Sequence, residues 1–314
     1  MTAERRYRVA VFARNEERGI AACLRALLDA CPDGCDLVVH VMVNGCTDRT
    51  FDIASELARS HDEIRVVQLP FGDKAHAWNS YVRDFADDSP VHFFTDGDVT
   101  CSPRSLELMQ SALTSDAGAM AIAGVPLSGR NHERYLRYIE QWHWLFGNLY
   151  AVKSAQLTKI RAANAYLPVG LCGTDHFISK LAAAETIRPT RLAWTQNIHR
   201  PDAGFTFRPL QPYRWADCRI YANRQITYAL RQLQIPEMDQ LDLADLPATV
   251  DDVNRRILAR LEAAGRRLMA QPRLHAVRRR LRRMYPSSDS SWFETRLQRA
   301  SRAPSDSAGR THAR

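Results

Sequence analysis

The sequence predicts an α/β fold with a mostly parallel central sheet and a helical extension at its C-terminal end. From Tyr7 to Leu113, apolar runs of strand length alternate with segments whose apolar residues recur at helical spacing. Such alternation is typical of parallel strands joined by crossover helices that cover both faces of a sheet. The 314 residues are 45% hydrophobic and 25% charged, enough for one large or two modest domains with a sizeable core.

Each element of this alternation is predicted from its own pattern. Strands are expected at four apolar runs: YRVAVFA (7–13), DLVVHVMVNG (36–45), IRVVQLP (64–70) and VHFFTD (91–96). Helices are expected at EERGIAACLRALLDAC (16–31), TDRTFDIASELARS (47–60), KAHAWNSYVRDFA (74–86) and SPRSLELMQSAL (102–113). In the last of these, Ser102 has the character of an N-cap and Pro103 that of a first-turn residue. Ligands of such sheets bind where the strands end, so the residues that follow each strand are the site candidates.

Two carboxylates, Asp96 and Asp98, follow the fourth predicted strand on either side of Gly97. Their charges repel at neutral pH, and neither can leave water without a partner. Mg²⁺ or Mn²⁺ would supply the missing positive charge, since such a cation takes one or two carboxylates and completes its shell with water and substrate phosphates. The alternative is an ordinary Asp-Gly-Asp turn with solvated side chains.

The positive charge of the chain is concentrated in its last 62 residues. From Val253 to Arg314 there are 16 arginines, no lysine and four acidic residues, so this segment has a net charge of +12. The whole chain has a net charge of +8, so the remainder carries −4. A phosphate-tracking surface is normally built into the folded domain, so no nucleic-acid partner is expected.

No apolar stretch has the length that spans a bilayer, and the first apolar run near the start has five residues, so a cytoplasmic protein is expected. The seven cysteines show no paired CxxC spacing, and free thiols that serve as small core residues are expected. These cysteines are Cys23, Cys31, Cys35, Cys46, Cys101, Cys172 and Cys218.

Six motifs follow one another between about Arg8 and about Arg224. In order they are VFARNEERGI, VNGCTDRT, FGDKAHAWN, FFTDGDV, LPVGLCGTDHFI and QPYRW. Together they resemble glycosyltransferase family 2, whose members have the GT-A nucleotide-sugar-binding fold. The first four are similar to that family's Asn-Glu turn, second-strand nucleotide loop, Lys and Asn helix start and metal motif. The last two resemble its Glu-Asp motif and the Gln-x-x-Arg-Trp motif of processive members such as cellulose and hyaluronan synthases.

The resemblance implies an inverting enzyme that moves a sugar from a nucleoside-diphosphate-sugar, expected to be a UDP-sugar, to an acceptor hydroxyl. Asp175 would be the general base, and Mn²⁺ or Mg²⁺ on Asp96 and Asp98 would act as Lewis acid. His199, 24 positions after Asp175, matches the place of a third metal ligand in some members.

The resemblance also implies binding residues. Donor-binding residues would be Ala13, Asn15, Glu16, Asn44, Lys74, Asn79, Asp96, Gly97, Gln211 and Arg214. Acceptor-binding residues would be Trp215, Thr174 and His176, with the tryptophan offering a flat apolar surface to a sugar ring. Each of these side chains also has an ordinary structural interpretation, as a helix-start, loop, surface or core residue.

The chain departs from the family pattern in two places. Val43-Asn44-Gly45 stands where an acidic pair is usual, so an amide faces the nucleobase and the preference for uracil is open. Thr174 stands where a glutamate usually precedes the base. A sugar-nucleotide pyrophosphorylase is the alternative enzyme class, but FARNEERG lacks its Gly-rich, Arg-containing loop. A non-catalytic nucleotide-binding protein is the other alternative, although Asp96, Asp98 and Asp175 are all present.

Three segments are expected along the chain. Residues 1–224 form the GT-A domain, with a donor half at about 1–125 and an acceptor half at about 126–224. Residues 225–303 form an Arg-rich helical extension, with helices at 220–233, 253–269 and 276–285, and residues 304–314 form a disordered tail. No internal repeat is visible.

The basic helix of the extension is a candidate contact with an anionic membrane that carries a lipid-linked acceptor. Its charges are Arg278, Arg279, Arg280, Arg282 and Arg283, and its apolar anchors are Leu268, Met269, Leu274, Val277, Leu281, Met284 and Tyr285. A solvated helical face is the alternative.

Overall fold

The computed structural model describes residues 6–129, 132–188, 191–192, 197–208, 210–211, 213–265 and 271–302. The tail expected from residue 304 onward and the anchors Leu268 and Met269 lie outside the described residues.

Ten strands and eleven α-helices are formed by the described residues. The strands are β1 (Arg6–Ala13), β2 (Asp36–Asn44), β3 (Ile64–Leu69), β4 (Val91–Asp96), β5 (Val99–Cys101), β6 (Ala121–Pro126), β7 (Leu149–Lys153), β8 (Ala184–Thr186), β9 (Arg191–Leu192) and β10 (Asn197–Phe207). The first helices are α1 (Ile20–Asp29), α2 (Thr50–Ala58), α3 (Lys74–Asp84), α4 (Ser105–Ser115), α5 (His132–Trp142) and α6 (Ser154–Ala162). The later helices are α7 (Thr174–Ala183), α8 (Trp215–Met238), α9 (Asp251–Ala263), α10 (Pro272–Met284) and α11 (Trp292–Arg302).

The central sheet has eight strands in the order β3-β2-β1-β4-β7-β6-β10-β5. Strands β1 to β4 are mutually parallel where they pair, as the alternation predicts. The second half is mixed, because β7 runs antiparallel to both of its neighbours and β5 runs antiparallel to β10. The predicted α/β class is confirmed, and the parallel half brings the ends of β1, β2 and β4 to one edge.

Each face of this sheet is covered by a hydrophobic core. Strand β1 alternates between the two: Val9 and Val11 pack with α1 and α4, whereas Ala10 and Phe12 face α3 and the later helices. Seven of its eight residues are buried, which explains why its sequence is a continuous apolar run and not an alternating one. The predicted start of α4 was early, since Arg104 in the left-handed conformation precedes a helix that begins at Ser105.

The C-terminal helices pack on the second of these cores. Four of the predicted membrane anchors, Val277, Leu281, Met284 and Tyr285, are buried among its side chains. The expectation that they face a bilayer is therefore wrong, because an apolar stripe on a helix of a globular protein is buried first against its own core. Helix α8 runs without interruption across the predicted boundary at residue 224. Among the described residues no helix is both long and apolar enough to cross a membrane.

Cys31 and Cys35 form a disulfide bond between α1 and β2. The expectation of free thiols is wrong for this pair. Gly34 takes φ +67° and the Cys35 N–H donates to the carbonyl oxygen of Pro32, so a tight turn returns the chain and brings the two sulfurs together. The other five cysteines form no disulfide bond; Cys23 and Cys101 are buried, as expected of core residues, whereas Cys218 is exposed.

Candidate active site

A cavity of about 360 Å³ opens where β1, β2 and β4 end. Its wall combines the predicted Asn-Glu turn with a carboxylate-rich rim and the start of α8. The lining residues are Arg14, Asn15, Glu16, Glu17, Arg18, Gly19, Asp48, Asp98, Arg208, Leu210, Asp217, Ile220 and Arg224. The site expected from the strand ends is therefore present as a space that a small molecule can enter.

The Asn-Glu turn is held rigidly against the loop after β2. Asn15 has φ +58°, and its side-chain oxygen accepts a hydrogen bond of 2.8 Å from the Thr47 N–H. The Glu16 N–H donates to the Thr50 hydroxyl oxygen at 2.8 Å. Burial, reinforced by the charges of Asp98 and Asp96, raises the pKa of Glu16 to about 8. Burial and the two neighbouring carboxylates therefore disfavour the ionised form of Glu16.

Lys74 supplies part of the positive charge that the sequence leaves missing. Its ammonium donates to a carboxylate oxygen of Asp96 and, at 3.2 Å, to the carbonyl oxygen of Gly147. Burial raises the pKa of Asp96, the lysine opposes this effect, and the charges of Asp98 and Asp175 add to it. A side chain at Gly147 would place its Cβ 2.9 Å from the Lys74 nitrogen and 3.9 Å from Asp175 Cβ, so the lysine and Asp175 both lie close to this glycine.

Asp98 offers oxygen ligands of the type that a hard divalent cation takes. The Asp98 carboxylate is half-buried and has no hydrogen-bond or ion-pair partner among the described residues. Its charge and that of Asp96 both act on Glu16, and carboxylate oxygens are the ligands that Mg²⁺ and Mn²⁺ prefer. His199 lies on β10, and the described residues form no group of three or more His, Cys, Asp or Glu side chains with metal-binding geometry. Its assignment as a third ligand stays a prediction.

Asp175 is the second residue of α7 and carries an ion pair with Arg231 of α8. The guanidinium nitrogen Nη1 lies 3.2 Å from Asp175 Oδ1 and 3.3 Å from Oδ2. Both side chains are about one-fifth exposed, which leaves the carboxylate open on its remaining side. The role of Asp175 as general base stays a prediction.

Two of the predicted donor-binding amides are committed to the backbone. Asn44 donates through Nδ2 to the carbonyl oxygens of Ala13 and Met42, at 3.0 and 3.3 Å. Asn79 pairs with the N–H and C=O of Leu167, at 2.9 and 2.8 Å. These amides join segments of the chain around the cleft, and any contact with a donor is limited to the groups left over.

Two further predicted donor-binding positions act through backbone packing. Ala13 is fully buried at the end of β1. The Gly97 N–H donates to the Phe12 carbonyl oxygen at 2.9 Å, and a side chain at Gly97 would place its Cβ 3.1 Å from that of Ala13. Close contact here sets the spacing between β1 and the Asp-Gly-Asp turn.

The Gln-x-x-Arg-Trp segment is anchored by an acid that the motif does not include. Asp217, only 4% exposed, accepts from the Gln211 N–H at 2.9 Å and forms ion pairs with Arg208 at 3.5 Å and Arg18 at 3.8 Å. Arg214 is the N-cap of α8, whereas the next residue, the motif's tryptophan, is 85% exposed. An acid in the first turn of a helix directly after a motif is the signal that could have identified Asp217.

The predicted acceptor-binding residues take different environments. Thr174 is buried, with 7% of its surface exposed. His176 lies 2.9 Å from Asp239, which also pairs with Lys180 at 3.0 Å. Their roles stay predictions, as does that of Trp215. Arg231 was missed altogether, because nothing local marks an arginine that contacts a residue 56 positions earlier.

Comparisons with known proteins agree with this architecture. Residues 8–169 match the model of the family described as Glycosyl transferase family 2. A mannosyltransferase, PcManGT from Pyrobaculum calidifontis, solved with GDP-Man and Mn²⁺, is 19% identical, with a TM-score of 0.57 over 95% of this chain and 79% of that chain. S. aureus TarS 1-349, solved with UDP-GlcNAc, is 16% identical, with a TM-score of 0.50 over 87% of this chain and 79% of that chain. No curated protein sequence matches the chain.

Proposed function

Because the match covers more than half of its residues, the chain belongs to glycosyl transferase family 2, and we propose that it is an inverting, metal-dependent glycosyltransferase. It would move a sugar from a nucleoside-diphosphate-sugar to an acceptor hydroxyl. The observation that carries the proposal is the continuous arrangement from the cavity at Asp98, past the Lys74–Asp96 pair, to the carboxylate of Asp175. Donor and base would then lie on opposite sides of one reacting carbon.

The proposed reaction is a single displacement at the anomeric carbon. Asp175 takes the proton of the acceptor hydroxyl while that oxygen forms its bond to the carbon, and the bond to the diphosphate oxygen breaks on the opposite face. A cation held by Asp96 and Asp98 would neutralise the negative charge that develops on the departing diphosphate. Attack from the face opposite the leaving group inverts the configuration.

The arginines of the cavity would assist the same charge. Arg14, Arg18, Arg208 and Arg224 line it, and guanidinium groups bind phosphate oxygens in a planar, two-pronged geometry. Gln211 and Arg214 stay in the proposal as residues near the diphosphate. The cavity thus offers cations for phosphates beside carboxylates for a metal.

We retain a UDP-sugar as the donor. The Nδ2 group of Asn44 already donates to two backbone carbonyls, so its side-chain oxygen is the atom left to face a base. An acceptor oxygen is also what the usual carboxylate would present, and it matches the N–H of the uracil imide. PcManGT was solved with a guanine nucleotide and TarS with a uridine nucleotide, so both bases belong in the test.

The experiment measures turnover and binding of a panel of UDP- and GDP-sugars with Mn²⁺, with Mg²⁺ and with chelator. Asp98→Ala should abolish the dependence of nucleotide affinity on metal, and proton NMR of the product should show an inverted anomeric centre. Asp175→Asn should lose turnover by roughly 10²–10⁴-fold while the donor still binds, since the group acts in the transition state. Equal affinity with and without metal would refute the metal assignment, and a retained configuration would refute the mechanism.

We also propose that the basic helix contacts an anionic membrane that carries a lipid-linked acceptor. Because four of its apolar anchors are buried in the core, the contact would be made by the arginine charges alone. Arg279, Arg282 and Arg283 are exposed on α10, although Arg282 also pairs with Glu262 at 2.8 Å. Charge reversal of Arg279 and Arg283 should reduce sedimentation with anionic vesicles at low salt and leave transfer to a small acceptor intact. A wild-type protein that ignores such vesicles would remove the proposal.

A further inference from the structure

We propose that Arg231 is the positioning residue of the general base, and that the C-terminal helices therefore complete the active site. The proposal rests on the proposed function, in which Asp175 takes the proton of the acceptor. Arg231 lies beyond the residues that match the family model, so no family motif assigns it. It contacts the base and no reacting atom, and its role is to fix the carboxylate in place.

The contact itself is a bridging one. One guanidinium nitrogen lies at 3.2 and 3.3 Å from the two oxygens of Asp175, so it holds the position of the carboxylate through both oxygens. Catalysis requires this placement, since a misplacement of about 1 Å can cost on the order of 10²-fold in rate. A surface ion pair that only stabilised the fold would not need to lie on the proposed base.

The backbone of α7 is shaped to admit the arginine. Gly173, directly before the helix, has φ +92°, and a Cβ there would lie 2.5 Å from Arg231 Nε and 2.7 Å from Cδ. Only glycine permits both the left-handed conformation and the passage of the arginine side chain over the backbone. The arginine side chain therefore fits over the backbone because residue 173 is a glycine.

The two helices are also tied together next to the pair. Gln234, one turn after Arg231 and fully buried, accepts from the Cys172 N–H at 2.8 Å and donates to Asn254 at 2.8 Å. The loop before Asp175 is therefore held at a fixed position relative to the helix that carries Arg231. This rigidity is what an oriented base requires.

Two carboxylates of the cleft each have their own cation: Lys74 pairs with Asp96, and Arg231 pairs with Asp175. Removal of Arg231 would therefore leave the carboxylate of Asp175 without this ion pair.

The test compares Arg231→Met, Arg231→Ala and Arg231→Lys with the matched control Arg256→Met. The control removes a different ion pair of α8, the one that joins Arg256 of α9 to Glu237 at 3.3 Å. Arg231→Met should lower kcat by about 10²-fold. Its donor affinity, acceptor KM and melting temperature should stay close to those of Arg256→Met. The lysine variant should recover part of the loss, and added guanidinium ion should raise the rate of Arg231→Ala but not of an Arg256→Ala control.

Gly173→Ala gives an independent test, because the methyl group would displace the guanidinium without removing it. It should reproduce the loss in kcat of Arg231→Met, and combining the two changes should add little. If Arg231→Met keeps the kcat of the control, or loses kcat and donor affinity together without rescue by lysine or guanidinium, the positioning role is overturned. Retained turnover in Asp175→Asn would instead refute the proposed base, and a failure of Arg231 alone would leave that assignment standing.

Discussion

Acidification should destabilise the fold at a buried histidine pair on the side of the sheet that faces α3. His92 is fully buried, with Nδ1 at 2.9 Å from the Tyr81 hydroxyl and Nε2 at 3.2 Å from the Asp87 carbonyl oxygen, a geometry that suits a neutral imidazole. His40, 6% exposed, has no hydrogen-bond partner at its Nδ1 among the described residues. Burial lowers the pKa of each to about 4.

The lowered pKa of each histidine determines the direction and the size of the change in stability with pH. Between pH 6.5 and 4 the unfolded chain binds protons that the folded protein excludes, so stability is present above pH 6.5 and is lost as the pH falls. For His40, Arg65 and Arg8 add to the effect of burial, whereas Asp87 opposes it. A pKa of about 4 against an ordinary 6.5 corresponds to about 3 kcal/mol at full loss and about 2 kcal/mol between pH 7 and pH 5 for each ring.

The assay is urea unfolding at pH 7 and pH 5 for the wild type, His40→Leu and the control His275→Leu, which alters an exposed histidine on α10. His40→Leu should lose about 2 kcal/mol less stability on acidification than the wild type, and the control should follow the wild type. Equal losses in wild type and His40→Leu would refute the assignment of the acid sensitivity to this ring.

Two more variants test other contacts. Asp217→Asn keeps an acceptor for the Gln211 N–H but loses the ion pairs to Arg208 and Arg18, so the donor KM should rise by about tenfold, equivalent to about 1.4 kcal/mol, in steady-state kinetics; an unchanged KM would mean that this anchor does not shape the cavity. Cys31→Ser should lower the free energy of unfolding by about 2 kcal/mol, the value expected for so short a closed loop, and reductant should abolish the difference from wild type.

The parallel half of the sheet could be predicted because each of its strands is a long apolar run that differs in period from the helix that follows. Strand β5 has three residues and β7 has five, too few for a period to be visible, so the mixed half was not anticipated. The direction of a strand relative to its neighbour is a property of the assembled sheet, and no local pattern encodes it.

The candidate site divides in the same way. Asp96, Asp98 and Lys74 could be predicted because motif residues lie within a few positions of the strand ends that collect them. Arg231 could not, since its partner lies 56 positions earlier and arginine is abundant in this chain, whereas Asp217 carried a signal as an acid in the first turn of α8. The hydrogen bonds of the Asn79 amide could not be predicted either, because their partner Leu167 lies 88 positions later.

Helix α8 sets a limit on how this protein can be cut or recombined. One end of its 24 residues forms a wall of the cavity through Asp217 and Arg224, and its later turns carry Arg231 to Asp175. A chimera joined at residue 169, where the family match ends, would keep the first four motifs but exchange Asp175, the proposed base, together with its partner Arg231. A junction at residue 224 would keep Asp175 and discard the arginine behind it. A chimera with a new acceptor preference therefore calls for a junction after Met238, so that the cavity wall, Asp175 and Arg231 come from the same parent protein.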